Sequence, residues 1–160
     1  NGCSTYEVTM DSNRIAWLAG LIDADGCIGL YSSGNVGHLK QGTDKRVVPK
    51  VTVSNTCRKT CHRVQDVIHE MGVGCRINTH RVPPGTCWAD RWDVEVAGMK
   101  RVAALLPQLL PHLVTKEEEA RIAIQFISSR FAAPPKTPYT VEERDLVARC
   151  RALKRNRNNT

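Results

Sequence analysis

The sequence predicts an α+β fold in the order α-β-β-α-β-β-α, with a four-stranded antiparallel sheet and extra C-terminal helices. Two observations predict it. Segments with apolar residues at helical spacing alternate with pairs of segments in which apolar and polar residues alternate one by one. Stretches rich in glycine or proline separate the two members of each pair, as in hairpins. An antiparallel sheet of this kind can bury one face under helices and leave the other exposed.

Length and composition fit one globular domain. The chain has 160 residues, of which 41% are hydrophobic, enough to bury a core. We expect a single domain over 1–160, with an N-terminal arm at 1–11 and a C-terminal linker and helix at 133–160. No apolar run reaches the ~20 residues that a membrane span needs, and no targeting signal is recognised. The expectation is an intracellular protein, in the cytoplasm or an organelle, with no membrane partner.

The first half of the chain contains two predicted helices and two predicted strands. Asp11 or Ser12 can cap the first helix, and Gly26 ends it. Residues 34–44 hold three glycines and few apolar side chains, so they are expected to form a long hairpin loop or a mobile tip. The predicted bounds are 13–26 for the first helix, 27–33 and 45–55 for the strands, and 57–71 for the second helix.

The second half repeats the hairpin and adds further helices. Polar and apolar residues alternate on both sides of the turn Pro83-Pro84-Gly85. A short helix is expected to be broken by Pro107 and Pro111, and two Thr-x-x-Glu capping boxes predict the starts of two last helices. The boxes are Thr115 with Glu118 and Thr140 with Glu143. The predicted bounds are 74–80 and 87–97 for the strands, 98–106 for the short helix, and about 155 for the end of the last, basic helix.

The end of the first helix, residues 18–26, is the most informative segment. Ala16, Gly20 and Ala24 recur every four residues, so they lie on one stripe that a second helix can approach closely. Two aspartates follow at the C-terminal end, where the helix dipole disfavours negative charge by roughly 0.3–1 kcal/mol. A divalent cation would offset that cost. An ordinary buried helix that ends in two solvated acids explains the same pattern.

Residues 18–26 read Leu-Ala-Gly-Leu-Ile-Asp-Ala-Asp-Gly, which matches the signature of the LAGLIDADG homing endonucleases letter for letter. The chain resembles that family over most of its length. Because it has one copy of the signature, it is most similar to the single-motif subgroup. The resemblance implies an intron-encoded endonuclease that cuts both strands of a long, nearly palindromic DNA target and leaves short 3′ overhangs. It also implies a homodimer whose interface includes Ala16, Gly20 and Ala24.

Metal-dependent hydrolysis is the chemistry that this resemblance implies. Two hard cations about 4 Å apart can activate water and neutralise a phosphodiester, and they prefer oxygen ligands. The last acid of the signature, Asp25, is the expected ligand and catalytic residue, with the Ala24 carbonyl as a further ligand. Mg²⁺ is the expected ion, and Mn²⁺ or Ca²⁺ can occupy the same sites. Asp23 is expected to have a structural or supporting role.

Three further residues are assigned to catalysis by the same resemblance. The family places a polar residue at the end of the second strand and basic residues nearby, which order water around the scissile phosphate. Asn55 matches the polar residue. Lys59 matches the basic residue at the start of the second helix, with Arg58 as an alternative. Lys116 matches a lysine that opens a later helix.

A double-stranded DNA partner fits the net charge of +7. The polar sides of the four strands would form one exposed face with donors and acceptors for base edges, although an ordinary solvated face has the same pattern. His38 or Lys40 in the 34–44 loop is expected to add a contact. The candidate DNA-binding residues are Tyr31, Ser33, Arg46, Lys50, Thr52, Ser54, Arg76, Asn78, His80, Arg91, Asp93 and Glu95.

Two other functions stay open at this point. An intron maturase, which is an RNA-binding splicing cofactor, fits the same basic charge. A non-catalytic DNA-binding regulator with this fold is the third hypothesis. The intact Asp25 favours cleavage over both, because binding alone does not require a metal-binding acid.

Overall fold

The computed structural model describes residues 11–33 and 46–157, which form five α-helices and four β-strands. The helices are α1 (Ser12–Asp25), α2 (Arg58–Glu70), α3 (Met99–Leu109), α4 (Glu117–Ala132) and α5 (Val141–Arg157). The strands are β1 (Gly26–Ser33), β2 (Arg46–Asn55), β3 (Arg76–His80) and β4 (Arg91–Ala97). The proposed N-terminal arm, apart from Asp11, and the 34–44 loop with His38 and Lys40 lie outside the described residues.

The four strands form one antiparallel sheet in the order β1-β2-β4-β3. Gly26 of β1 pairs with Val53 of β2, which pairs on its other side with Val94 of β4. Val94 pairs in turn with Ile77 of β3. These pairs place one residue from each strand in a row across the sheet. The predicted α+β class and the predicted element order are therefore confirmed.

Helices cover one face of the sheet and form the hydrophobic core with it. Val51 and Val53 of β2 are at most 2% exposed, whereas their neighbours along the strand are partly exposed. Leu18 and Ile22 of α1 are fully buried in the same core. Burial of such a side chain stabilises the fold by about 1.5–3 kcal/mol relative to exposure. Among the described helices, none is both long enough and apolar enough to span a membrane.

The first helix spans Ser12–Asp25, within one residue of the predicted bounds, and it has the predicted cap residues at both ends. Asp11 caps it, and its Oδ1 accepts a hydrogen bond of 3.0 Å from the Asn13 amide. Gly26 ends it in an extended conformation with φ −94°. A Cβ atom at this position would lie 2.7 Å from the Cα and the carbonyl oxygen of Ile22. Glycine is therefore required by the close approach of two backbone segments rather than by a left-handed turn.

Two predicted details of the later helices are wrong. α3 does not break at Pro107, because it continues to Leu109 and passes into a 3₁₀ turn at Leu110–His112. The second detail is the start of α4, because Thr115 was predicted as its N-cap residue. The N-cap residue of α4 is Lys116, whose side chain makes no capping hydrogen bond. Just ahead of α4, the Val114 and Lys116 amides bind a carboxylate from α1, as described below.

The second predicted capping box is confirmed. The Glu143 amide donates to Thr140 Oγ1, and the Thr140 amide donates to Glu143 Oε2, both at 3.1 Å. Glu143 is 1% exposed and also accepts hydrogen bonds from Ser129 and Arg130 of α4. Burial alone would raise the pKa of Glu143, but these hydrogen bonds and the Arg130 charge outweigh it and hold the pKa below its usual value. The carboxylate therefore ties the start of α5 to α4.

Candidate functional site

Asp23 joins the C-terminal end of α1 to the segment that precedes α4. Its Oδ2 accepts a hydrogen bond of 2.7 Å from the Val114 amide, and its Oδ1 accepts one of 2.9 Å from the Lys116 amide. These amides would otherwise lack partners ahead of a helix. Asp23 therefore ties the end of α1 to the segment ahead of α4.

The Lys116 ammonium lies at the C-terminal end of α1. Its Nζ donates a hydrogen bond of 2.5 Å to the Asp23 carbonyl oxygen, and the residue is 7% exposed. A cation at a helix C-terminus is stabilised by the helix dipole. In the sequence, Lys116 is a cation at the unfavourable end of its own helix. In the fold, its ammonium stands at the favourable end of α1, on the carbonyl of a residue two positions before Asp25.

Asp25 is the last residue of α1 and is exposed. Within the described part of the chain, its carboxylate makes no hydrogen bond or ion pair. The Ala24 carbonyl lies in the last turn, where no helical amide follows to bind it. Both oxygens are of the kind that hard divalent cations bind, so the donor set fits such a metal. The described residues contain no group of three His, Cys, Asp or Glu side chains that would enclose a metal within one chain.

The sheet register brings Asn55 to the same end of the sheet as Asp25. Asp25 directly precedes Gly26, and Asn55 is two residues beyond Val53, the partner of Gly26. The Asn55 Oδ1 accepts a hydrogen bond of 2.8 Å from the Cys57 amide, just before α2 begins. This bond orients the side chain, and the Asn55 amide group remains as a donor.

The two basic candidates at the start of α2 point differently. Lys59 is exposed in the first turn. The Arg58 Nε donates a hydrogen bond of 3.2 Å to His62 Nε2, one helical turn further on. The guanidinium of Arg58 is therefore directed along the helix, and Lys59 has the freer side chain.

The predicted polar face of the sheet is present. The register places all twelve candidate residues on the side of the sheet opposite the buried valines, because Ser33 pairs with Arg46, Thr52 with Glu95 and Asn78 with Asp93. Cys27 and Gly29 of β1 belong to the same face by alternation. We call this surface the polar face. The side chain of Ser33 lies outside the described residues, although its backbone is in β1.

Two carboxylates organise the cations of the polar face. The Glu95 carboxylate binds Lys50 Nζ at 3.2 Å and Arg76 Nη2 at 2.6 Å. The Asp93 carboxylate lies 2.7 Å from His80 Nε2 and 3.0 Å from Arg91 Nε. Side-chain exposure is only 11% for Glu95 and 14% for Asp93, but 66% for Arg76. The acids therefore orient exposed donors, and they are not open acceptors in the unbound chain.

Solved structures show what this arrangement is similar to. No protein-family model and no curated protein sequence matches the chain. The homing endonuclease I-CvuI, bound to its Sro1.3 target with 2 mM Ca, superposes with a TM-score of 0.66 and 22% identity. That match covers 89% of this chain and 83% of I-CvuI. A second I-CvuI complex, with an I-CreI target and 2 mM Mg in which the DNA is not cleaved, gives a TM-score of 0.57 and 21% identity. This match covers 88% of this chain and 96% of I-CvuI.

A structure with lower sequence identity has the same fold. The LAGLIDADG homing endonuclease I-GzeII, in complex with a DNA target, gives a TM-score of 0.56 with 14% identity over 74% of this chain and 36% of its own. The chain has the LAGLIDADG homing endonuclease fold. In this fold, the signature at residues 18–26 forms the second half of α1 and the first residue of β1. The polar face is the exposed side of the sheet.

Sequence reasoning missed the part that α5 plays at the polar face of the LAGLIDADG fold. The Lys154 Nζ donates a hydrogen bond of 2.6 Å to Tyr31 Oη and lies 4.1 Å from the centre of the Tyr31 ring. Arg151 reaches the other side of the same strand, where one of its nitrogens lies 2.5 Å from Ser32 Oγ. The basic character of α5 was visible in the sequence. The strand that its basic residues reach depends on how the helix docks.

Proposed function

We propose that the chain is a homodimeric, divalent-metal-dependent, site-specific DNA endonuclease of the intron-encoded homing type. It would make a double-strand break with short 3′ overhangs in a long, near-palindromic target. The observation that carries this proposal is the exposed Asp25 carboxylate at the end of α1, next to a sheet face with oriented cations. The I-CvuI structures, which are DNA complexes solved with Ca or Mg, support the same class.

A second copy of the chain is needed to complete the site. Ala16, Gly20 and Ala24 are exposed along one stripe of α1, while Leu18 and Ile22 on the other side are buried. A Cβ atom on Gly20 would meet nothing within 4 Å. Small residues left open in this way suit the close approach of a symmetry-related α1. Two copies of Asp25 would then supply carboxylates that one chain lacks.

Asp25 and the Ala24 carbonyl are the residues that would hold the cations, with Mg²⁺ as the expected ion and Mn²⁺ or Ca²⁺ as possible occupants. When bound, such ions neutralise the phosphate and make water a better nucleophile. The chain's own groups do the positioning. The Asn55 amide and the Lys59 ammonium donate to water around the scissile phosphate. Lys116, held by Asp23, fixes the end of the helix that carries Asp25.

The polar face would supply DNA recognition. Arg76, Arg91 and His80 are each more than half exposed at their side chains, and the acids beneath them fix their directions. Oriented donors of this kind can pair with acceptors on base edges in the major groove. A dimer would carry twice the net charge of +7, so binding should weaken steeply with salt.

Cleavage selection tests the enzymatic class. The purified chain is incubated with randomised or genomic DNA in Mg²⁺ and, separately, in EDTA, and cut ends are sequenced. We expect symmetric, EDTA-sensitive cleavage by the wild type and none by Asp25→Asn, which should still bind DNA. The exposed Asp66→Asn on α2 is the matched control and should cleave normally. Cleavage by Asp25→Asn would contradict the metal assignment, and enhanced intron splicing without DNA cutting would point to a maturase.

Substitution of Gly20 tests the dimer. Because the space around Gly20 is open within the chain, Gly20→Leu should leave the monomer folded, and the loss of a helical glycine favours α1 by about 1 kcal/mol. We expect monomers by light scattering and loss of double-strand cleavage. Gly20→Ala is the control, since its smaller side chain keeps most of the approach. Stable dimers of Gly20→Leu would rule out this interface.

A further inference from the structure

We propose that Lys154 of α5 is a DNA-phosphate contact of the polar face, and that Gly29 of β1 is the position that admits it. The inference rests on the proposed function, because it adds a residue from outside the sheet to the proposed DNA interface. It assigns a role to a helix that the sequence analysis linked neither to DNA nor to catalysis.

Gly29 leaves the space that the Lys154 side chain occupies. Gly29 pairs with Lys50, and it lies on the same side of β1 as Cys27 and Tyr31. A Cβ atom built on Gly29 would overlap the Lys154 Nζ and lie 2.8 Å from its Cε. The lysine therefore reaches from α5 past the edge strand and places its ammonium on the polar face. Any larger residue at position 29 has to displace it.

The Lys154 ammonium has neutral partners in this position. It donates to the Tyr31 hydroxyl, whose oxygen lies 3.0 Å from Cys27 Sγ. Burial lowers the pKa of Lys154, but its hydrogen bonds to Tyr31 and Cys27 outweigh this effect and leave the pKa above its usual value. The group is therefore charged at neutral pH. Among the described residues, no carboxylate forms an ion pair with it, in contrast to Lys50 and Arg76, which share Glu95.

The surroundings of Lys154 suit a phosphate. A groove of about 350 Å³ runs between β1 and the end of α5, lined by Leu30, Tyr31, Ser32, Arg151, Lys154 and Arg155. Its lining includes three cations and no acid. An ammonium is a point charge without the fork that reads a guanine, so a backbone phosphate is the acceptor it fits best. A phosphate contact predicts a loss of affinity that does not depend on the DNA sequence.

Salt-dependent binding measures this contact. All variants are made in the Asp25→Asn background and titrated against two fluorescent duplexes, the selected target and an unrelated sequence of equal length. We expect Lys154→Met to weaken binding to both duplexes about tenfold at low salt. The slope of log K against log salt should fall by about 1.8 for a dimer that loses two phosphate contacts. Lys154→Arg should restore most of the affinity.

Gly29→Ala tests the position that admits Lys154, and a distant lysine variant controls for the loss of one charge. Gly29→Ala should reproduce the loss without removing a charge, and the double variant with Lys154→Met should lose no more than either single variant. Lys136→Met, before the other end of α5, removes the same charge and should bind as wild type. Thermal unfolding checks that each variant is folded.

The outcomes separate the inference from the function on which it rests. If the parent protein binds neither duplex, the proposed function fails. If it binds, and Lys154→Met binds equally well with an unchanged salt slope, the assignment of Lys154 is overturned. A loss confined to the target duplex also overturns the phosphate assignment. Wild-type binding by Gly29→Ala overturns the role of Gly29.

Discussion

The two sides of the polar face handle positive charge in opposite ways. Across β2, β4 and β3, Glu95 holds Lys50 and Arg76, and Asp93 holds Arg91 and the His80 imidazole. The two acids are only 11% and 14% exposed. At the edge formed by β1 and α5, Lys154 donates a hydrogen bond to the Tyr31 phenol, and Arg151 donates one to the Ser32 hydroxyl. In the first region, carboxylates fix the directions of the donors and offset their positive charge. In the second region, the cations bind neutral hydroxyl groups, so their positive charge is not offset. We infer that the first is suited to base recognition and the second to phosphate binding.

Neutralisation of Glu95 gives the largest expected effect. Glu95→Gln removes the charge that Lys50 and Arg76 share, and we expect the free energy of unfolding to fall by about 1–3 kcal/mol. Affinity for unrelated DNA should rise, because two cations are released. Discrimination between the target and unrelated DNA should fall about tenfold, because the donors lose their orientation. Urea unfolding and binding titrations measure these changes.

The control for Glu95 removes the same charge from a different surface. Glu117→Gln on α4 breaks an exposed pair with Arg121, so its effect on stability should stay within about 0.5 kcal/mol. If Glu95→Gln keeps full discrimination, the carboxylate does not orient the donors and the two regions do not differ as proposed.

A smaller effect on DNA binding is expected where α5 is anchored. Glu143 holds the start of the helix that carries Arg151 and Lys154, and Glu143→Gln should lower the free energy of unfolding by about 2 kcal/mol at neutral pH. DNA affinity should fall modestly, while discrimination between target and unrelated DNA stays the same, because the cations on Glu95 and Asp93 are untouched.

The pH dependence of this effect has a defined sign. The pKa of Glu143 is lower in the folded state than its usual value, so its contribution is present above the unfolded pKa and is lost as pH falls through the folded pKa. The difference in stability between wild type and Glu143→Gln should therefore shrink in acid. Glu142→Gln, at the exposed neighbouring position, should show no such trend. A difference that is constant with pH would show that the Glu143 charge is not the cause.

Local patterns in the sequence predicted much of the fold because they depend on neighbours along the chain. Alternation in β2 predicted that Val51 and Val53 are buried and that Lys50 and Thr52 face the other way. The Thr140–Glu143 capping box was confirmed because all its partners lie within one turn. The N-cap of α4 was predicted one residue too early, at Thr115, and the amides on either side of that residue bind a carboxylate about ninety residues away, that of Asp23.

The sequence by itself determined which residues share a face, which helices form and where the signature acids stand, since periodicity and capping act over a few residues. Only the tertiary structure decided which charges meet. The strand register set Glu95 between Lys50 and Arg76, and the docking of α5 brought Lys154 over Gly29. Such pairings join segments far apart in sequence, and the packing of the whole core selects them.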